Sequence, residues 1–424
     1  MAFNQPLTGL RTVFSSAVTT LFGLQPKVVI PSLLVGYLTL VQLLRWRNYN
    51  LIHRKYQKKW ENGELTPQEA QTIMQITVTY EMPLLMRLGL SLALFKTYAI
   101  PSISKLLLAT KELGSGEKVA KRFADTEIIL STIANCPLSG FKDISLKKDD
   151  NTPAQDSRHS IALARMNYLH SRHKISNDDY LYTLSLFIIE PNVWADRYGW
   201  RRLSLIERDA PFIFWSEVGK RMGIKDIPGT FEELVSWSKG YEEQYMVPVE
   251  SNHLVANLTT AELIAAVPQA FGLRKFVERL TICVLEDRVR IAMMQPEQPS
   301  YCIAFINALM GFSGFVQRWM LLPRRHPVLA IQTKLPSSSS ERSRPNRFRS
   351  KPWYKPERSG LGYLLDQLTV KLGIYAALPS HDFRSAGYRL EEVGPLHLEK
   401  SGHDETFRDA ERIQGCPISE LFRP

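Results

Sequence analysis

Apolar residues recur at helical spacing along most of this chain, and polar or Pro-containing stretches break the pattern into segments. Thr66-Pro67-Gln68-Glu69 opens one such segment. Thr66 is placed to cap, Pro67 suits the first turn, and Glu69 reaches back to complete a capping box. Pro83 should bend or end that helix, because it lacks an amide donor. Lys118–Ile133 is a second helical run. Leu146–Gln155 is a polar loop, and Asp156 is placed to cap a helix running through His170. A further helix is expected over Asn177–Ile189, capped by Ser176. Others are expected from Ser204, Thr230 and Thr260, and another over Leu361–Ala377. Strand-like alternation with regular turns is absent, which excludes an all-β or a doubly wound α/β chain. The expected class is all-α.

Two stretches depart from amphipathic patterning. Val28–Leu44 carries no charge and just reaches the ~17–25 residues that a spanning helix requires. Arg45, Arg47, Arg54, Lys55, Lys58 and Lys59 follow it, whereas only Arg11 and Lys27 precede it. That asymmetry predicts a single anchor with a lumenal N-terminus and a cytoplasmic remainder. A cleaved signal peptide fits less well, since the apolar run starts late and leads into strong charge. Leu84–Ile100 contains Arg87 and Lys96, so it reads as buried core or as the wall of an apolar channel. Met310–Leu322, rich in aromatic and aliphatic side chains, suits either core packing or a helix lying flat on a membrane.

The domain plan follows: a lumenal segment 1–27, an anchor 28–46, a helical catalytic domain 47–334, a basic flexible loop 335–360, and a C-terminal helical segment and tail 361–424. Of the formal charge of +11, the stretch Lys334–Arg358 supplies +6. A nucleic-acid groove would need basic and aromatic residues interleaved on a folded face, and no such motif occurs. A polybasic stretch beside a membrane suits anionic headgroups better. Cys136, Cys283, Cys302 and Cys416 are scattered without a CxxC pair, so neither a disulfide framework nor a zinc finger is expected. Walker, GxSxG, HExxH and dinucleotide motifs are also missing. Asn257-Leu258-Thr259 matches a glycosylation triplet that a cytoplasmic face would leave unmodified.

Chemistry concentrates in Ala162–Asp179. His170 and His173 lie three apart on one helix face, with Met166 a turn earlier. An imidazole among apolar residues can ligate haem iron, and equally it can be a hydrogen-bonded core residue. Zinc would need further ligands that the neighbourhood lacks. Asp178, Asp179 and Glu190 are alternative carboxylates, although helix capping and dipole roles explain the two aspartates. Tyr168 and Tyr182 either line a pocket or pack.

Arg165-Met-Asn-Tyr-Leu-His170 resembles the Arg-x4-His segment of the MpaB/rubber oxygenase (latex-clearing protein) family. Arg122-Phe-Ala-Asp125-Thr126 is similar to that family's Arg-x-x-Lys-Thr segment. Residues 94–113 and 166–187 resemble the membrane-bound, ER-located MpaB branch of mycophenolic acid biosynthesis more narrowly, and the likeness spans roughly residues 28–330. The resemblance implies a globin-like helical bundle around a haem b pocket. It implies molecular oxygen as co-substrate, and oxidative cleavage of a carbon–carbon double bond in the isoprenoid chain of a hydrophobic prenylated metabolite. It makes His170 the iron ligand. Arg165 and Arg122 become structural residues or partners of the haem propionates, and Thr126 lies on the distal side. Asp125 stands where the bacterial pattern has Lys, so it is either a distal polar group or an ordinary surface carboxylate. Two rivals remain at this level: a non-catalytic helical scaffold or lipid-binding protein, and a haem enzyme of the same fold that hydroxylates.

Overall fold

The computed structural model describes residues 26–113, 116–141 and 154–423, so most of the expected lumenal segment and of the polar loop 146–155 lies outside it. Among the described residues the chain is helical, with isolated β-bridges and no strand. Helices α1 (Pro26–Arg45) and α2 (Arg47–Glu61) form one long, mostly exposed apolar-to-basic rod. The body follows with α3 (Pro67–Gln75), α4 (Pro83–Thr97), α5 (Pro101–Ala109), α6 (Gly116–Asn135), α7 (Arg158–Ser171) and α8 (Asn177–Tyr198). It continues with α9 (Leu205–Arg221), α10 (Phe231–Tyr245), α11 (Glu250–Leu263), α12 (Leu273–Cys283), α13 (Asp287–Ala292) and α14 (Ser300–Trp319). Helices α15 (Leu361–Lys371) and α16 (His403–Gln414) end the series.

The capping boxes at Thr66/Glu69, Ser204/Glu207 and Thr230/Glu233 are formed. Two starts differ from expectation. Ser157 rather than Asp156 precedes α7, because the Asp156 carboxylate is held by Arg158 at 2.7 Å. Thr260 lies near the end of α11, which begins at Glu250 after the extended Val249. Pro83 breaks the chain as expected. The turn before it, Ile76–Glu81, widens to a π-helix, and the two arms meet at 112°.

Helix α8 is the central strut. It packs on α4, where Gly89 lets the Pro191–Trp194 turn approach, and also on α9 and α10. The largest core joins α2, α3, α6, α7, α8 and α9 through Ile52, Ile73, Ile133, Leu163, Ile188 and Phe214. Leu84–Ile100 is therefore core-lining rather than spanning, as Ala93, Phe95 and Ile100 are buried.

The basic segment 335–360 is non-helical, and its charges find partners in the body. Trp353 and Tyr354 are buried. Lys355 pairs with Asp366 at 2.6 Å, Arg358 also binds Asp366, Arg347 meets Glu127 at 2.8 Å, and Arg342 binds Glu392. These acids lie from 8 residues away, for Asp366 and Arg358, to 220 away, for Glu127 and Arg347. Much of the charge that looked available for lipid headgroups is thus neutralised internally.

Candidate functional site

Helix α7 places two histidines at opposite ends. Its first turns are wholly buried, and its last turn emerges where α7 ends at Arg172 before Ser176 caps α8. His170 sits in that last turn, half-buried, with Nδ1 enclosed and without a hydrogen-bond partner. The Tyr180 ring lies 5.7 Å away at 52°. A helix C-terminus favours a charged imidazole by about 0.3–1 kcal/mol. Burial, together with the positive charges of Arg122 and His173, overrides this and pushes the His170 imidazole down to about 4. The ring is therefore neutral at pH 7, with a lone pair free for a Lewis acid.

Arg122, from the first turns of α6, acts on His170 and on the buried hydroxyl of Tyr98. Among the described residues its guanidinium has no hydrogen bond and no ion pair. A half-buried cation without a counter-ion beside a neutral, unpartnered imidazole fits a planar metal cofactor that carries carboxylates. The donor set thus fits haem. Tyr98 and Tyr180 complete this end of the bundle. Sequence spacing did not single them out, because only folding brings α4, α6 and the start of α8 to the end of α7.

The other expected site residues are placed elsewhere. Arg165 is fully buried, and each of its nitrogens donates to a carbonyl of the C-terminal segment: Val393 at 2.8 Å, Ser401 at 2.7 Å and Leu398 at 2.8 Å. Those bonds commit it to structure. Asp125 is not a surface carboxylate. It is buried between Lys121 at 2.8 Å and the Tyr354 hydroxyl at 2.6 Å, and burial pushes its carboxyl up against the pull of both partners. Lys121 also donates to the Gly394 carbonyl at 2.6 Å. The trio ties α6 to the C-terminal third of the chain. Thr126 is half-buried on the same helix.

Asp179 caps nothing with its carboxylate, which accepts from Ser102 at 2.6 Å and Tyr241 at 2.8 Å. Tyr168 and Tyr182 pack. The first lies under Arg165 and Arg172, and against Gly402, whose φ of +72° starts α16. A Cβ there would meet the ring at 2.1 Å. The second donates to Glu242. His173 is exposed, and the described residues contain no cluster able to hold a metal through three His, Cys, Asp or Glu side chains.

Two further features escaped the sequence. Lys96, buried in the apolar α4, gathers Glu190, Glu242 and Glu286 within 2.9–3.2 Å beside a shallow cleft lined by Val193, Trp194 and Val284. His159, at the other end of α7, is fully buried with Nδ1 2.8 Å from the Ile133 carbonyl and Nε2 unpartnered.

No protein-family model matches the chain. It is similar to an ER-bound oxygenase named mpaB′ from Penicillium brevicompactum, 27% identical over 401 residues, covering 89% of this chain and 90% of the relative. An ER-bound oxygenase mpaB from Penicillium roqueforti (strain FM164) is 30% identical over 307 residues, covering 67% of this chain and 96% of the relative. The chain belongs to the MpaB family of ER-bound oxygenases. It is accordingly an oxidoreductase. A second MpaB, from Penicillium brevicompactum, is 32% identical over 250 residues. The first two alignments cover most of both partners, so the resemblance embraces the helical body and not one motif alone.

Proposed function

We propose that this MpaB-family enzyme is a haem-dependent oxygenase, held on the endoplasmic reticulum membrane by α1 with its body in the cytoplasm. We propose further that it cleaves a carbon–carbon double bond in the isoprenoid (for example farnesyl) chain of a secondary metabolite, leaving an aldehyde or acid. One observation carries the reading: the enclosed, unpartnered and neutral imidazole of His170 beside the uncompensated Arg122. A buried polar atom without a partner costs about 1–3 kcal/mol, so it persists where a ligand satisfies it. Haem b, when bound, supplies the oxygen chemistry that no side chain offers.

The chain's own residues do the rest. The His170 nitrogen would hold the iron, and Arg122 would neutralise a propionate. Arg165 locks the C-terminal segment over α7, which fixes the direction of the His170 turn. Asp125, Lys121 and Tyr354 hold α6, and with it Arg122, in register. Overall, one oxygen molecule is consumed per double bond, and each alkene carbon leaves as a carbonyl; an acid would require a separate two-electron oxidation of the aldehyde. A farnesyl chain partitions into the bilayer, so tethering raises its local concentration without any specific contact.

The test is optical and then chemical. Purified full-length protein is expected to show a Soret band at stoichiometric haem, and His170→Ala is expected to remove it while far-ultraviolet circular dichroism stays helical. Incubation with a prenylated aromatic under labelled oxygen should place label in a truncated carbonyl product. A folded but colourless wild type defeats the haem reading and favours a lipid-binding scaffold. A coloured protein yielding a labelled alcohol of full chain length favours hydroxylation.

A further inference from the structure

Helix α14 is about 30 Å long at 1.5 Å per residue, and it is apolar enough to cross a bilayer. Its packing against the body points to another placement. One face follows the body from Asn307 to Gln317. Asn307 accepts from the Tyr198 hydroxyl at 2.6 Å, and Met310 joins the core around Trp194 and Trp200. Gly314 lies so close that a Cβ would stand 3.0 Å from the Tyr198 carbonyl, and Gln317 donates to the Glu81 carbonyl. The chain on either side returns to the same body. Asn252 binds the Ala292 carbonyl at 3.0 Å before α14, and Val328 binds the Thr79 carbonyl at 2.9 Å after it.

The opposite face carries Tyr301, Phe305, Leu309, Phe312, Phe315 and Trp319, spaced by three or four residues and all exposed, Phe312 by 64%. A continuous stripe of aromatic and aliphatic side chains this long marks an interaction surface. Cations border it. Arg279 reaches the Tyr301 hydroxyl at 3.5 Å, Arg197 reaches Asn307 at 3.2 Å, and Arg318 lies 5.2 Å over the Trp319 ring.

What covers this face is indicated by where the anchor joins it. The Tyr37 hydroxyl donates to the Met320 carbonyl at 2.8 Å, Gln42 donates to the Arg318 carbonyl at 3.1 Å, and Arg45 donates to the Leu321 carbonyl. The stripe is thus continuous with the segment read as entering the bilayer. Trp46 and Trp200, with ring centroids 5.2 Å apart, stand just beyond that junction, where aromatic belts sit. We propose that the outer face of α14 is a second membrane contact. The helix lies in the plane of the phospholipid bilayer, its aromatic stripe among the acyl chains and its bordering arginines at the phosphates. This rests on the reading of α1 as the anchor. The consequence is mechanical: a single anchor leaves the body free to swivel, whereas anchor plus in-plane helix presents one fixed side to dissolved substrate.

The experiment uses the full chain in phosphatidylcholine/phosphatidylserine vesicles, with Cys416→Ser to remove the most accessible thiol. An environment-sensitive fluorophore is attached at Leu34→Cys, Tyr301→Cys, Phe312→Cys, Trp319→Cys or, on exposed α10, Lys239→Cys. Spin-labelled lipids are expected to reduce emission about twofold or more at the α14 positions, at one shallow depth. They should also quench Leu34→Cys and leave Lys239→Cys unaffected. Quenching of Phe312→Cys by aqueous iodide alone overturns the proposal. So does protection from both quenchers, which means that a second copy or another protein surface covers the face. Tyr301→Cys and Trp319→Cys in opposite leaflets would make α14 a span and also overturn it. Lipid quenching at Leu34→Cys without Phe312→Cys removes the α14 contact and leaves the anchor. The reverse removes the anchor and keeps the contact.

Discussion

The two histidines of α7 are alike in type, in neutrality and in having one nitrogen without a partner, yet they stand in different surroundings. His159 is sealed in the largest core, facing Phe214 at 6.5 Å, and its Nδ1 is tied to a main-chain carbonyl. Burial, with a smaller push from the positive charge of Arg221, brings it down to about 4, and burial is the leading cause at His170 as well. His170 differs by opening toward the surface and by the proximity of Arg122, a cation that no described carboxylate compensates. A metal-bound histidine usually donates its second nitrogen to a carbonyl, as His159 does and His170 does not. Hydrogen bonding alone would therefore favour His159, at the other end of the helix. A partly exposed helix end and a neighbouring cation without a described counter-ion separate His170 from the core residue His159.

The sharpest way to break this comparison is to truncate each ring. His170→Ala should lose essentially all haem absorbance with little change in melting temperature. His159→Ala should keep haem per folded molecule while losing roughly 2–4 kcal/mol of stability by denaturant titration, since it leaves a core cavity. The opposite pattern would move the ligand to His159.

Between the two ends lies Arg165. Arg165→Leu strands three carbonyl acceptors, that of Val393 buried, and should cost roughly 3–5 kcal/mol, with protease sensitivity appearing in residues 390–423 before the rest of the chain. Asp125→Asn leaves Lys121 buried without its counter-ion, and a loss of similar size is expected. If Asp125→Asn altered the product ratio at unchanged stability, Asp125 would be a distal group after all.

A smaller effect concerns pH. The folded state holds His159 near 4, whereas an unfolded histidine titrates near 6.5, so the unfolded chain binds the extra proton between those values. The contribution is present in full above about pH 6.5 and is lost as pH falls toward 4, amounting to about 3 kcal/mol. Melting curves between pH 7 and 4 should flatten in His159→Gln.

The smallest effect is expected at Arg122. Arg122→Gln should raise the His170 titration point in haem-free protein, because a positive neighbour is removed. It should also weaken haem affinity by roughly tenfold, the scale of a single ion pair partly exposed to water. Unchanged affinity would free Arg122 from any propionate.

Helix starts at Thr66, Ser204 and Thr230 were legible because a capping box is a local device: donor and acceptor lie three residues apart. The apolar run of α1 was legible for the same reason, as was the end of α3 before Pro83. The family and the candidate ligand at position 170 were legible through short ordered motifs. The fates of Arg165, Asp125 and the basic segment were not. Their partners, Val393, Tyr354, Glu127 and Asp366, lie from several to more than two hundred residues away. A charge looks free in a sequence whenever its counter-ion is remote.

The sequence by itself determined a helical chain, an N-terminal apolar rod with basic residues behind it, and a histidine within a recognisable motif, because each depends on neighbours within a turn or two. The tertiary structure decided which histidine is sealed and which is partly exposed, which charges are neutralised, and that one face of α14 packs on the body while the other stays exposed. Those outcomes turn on burial and on which side chains meet across helices, and neither is a property of any short stretch of chain.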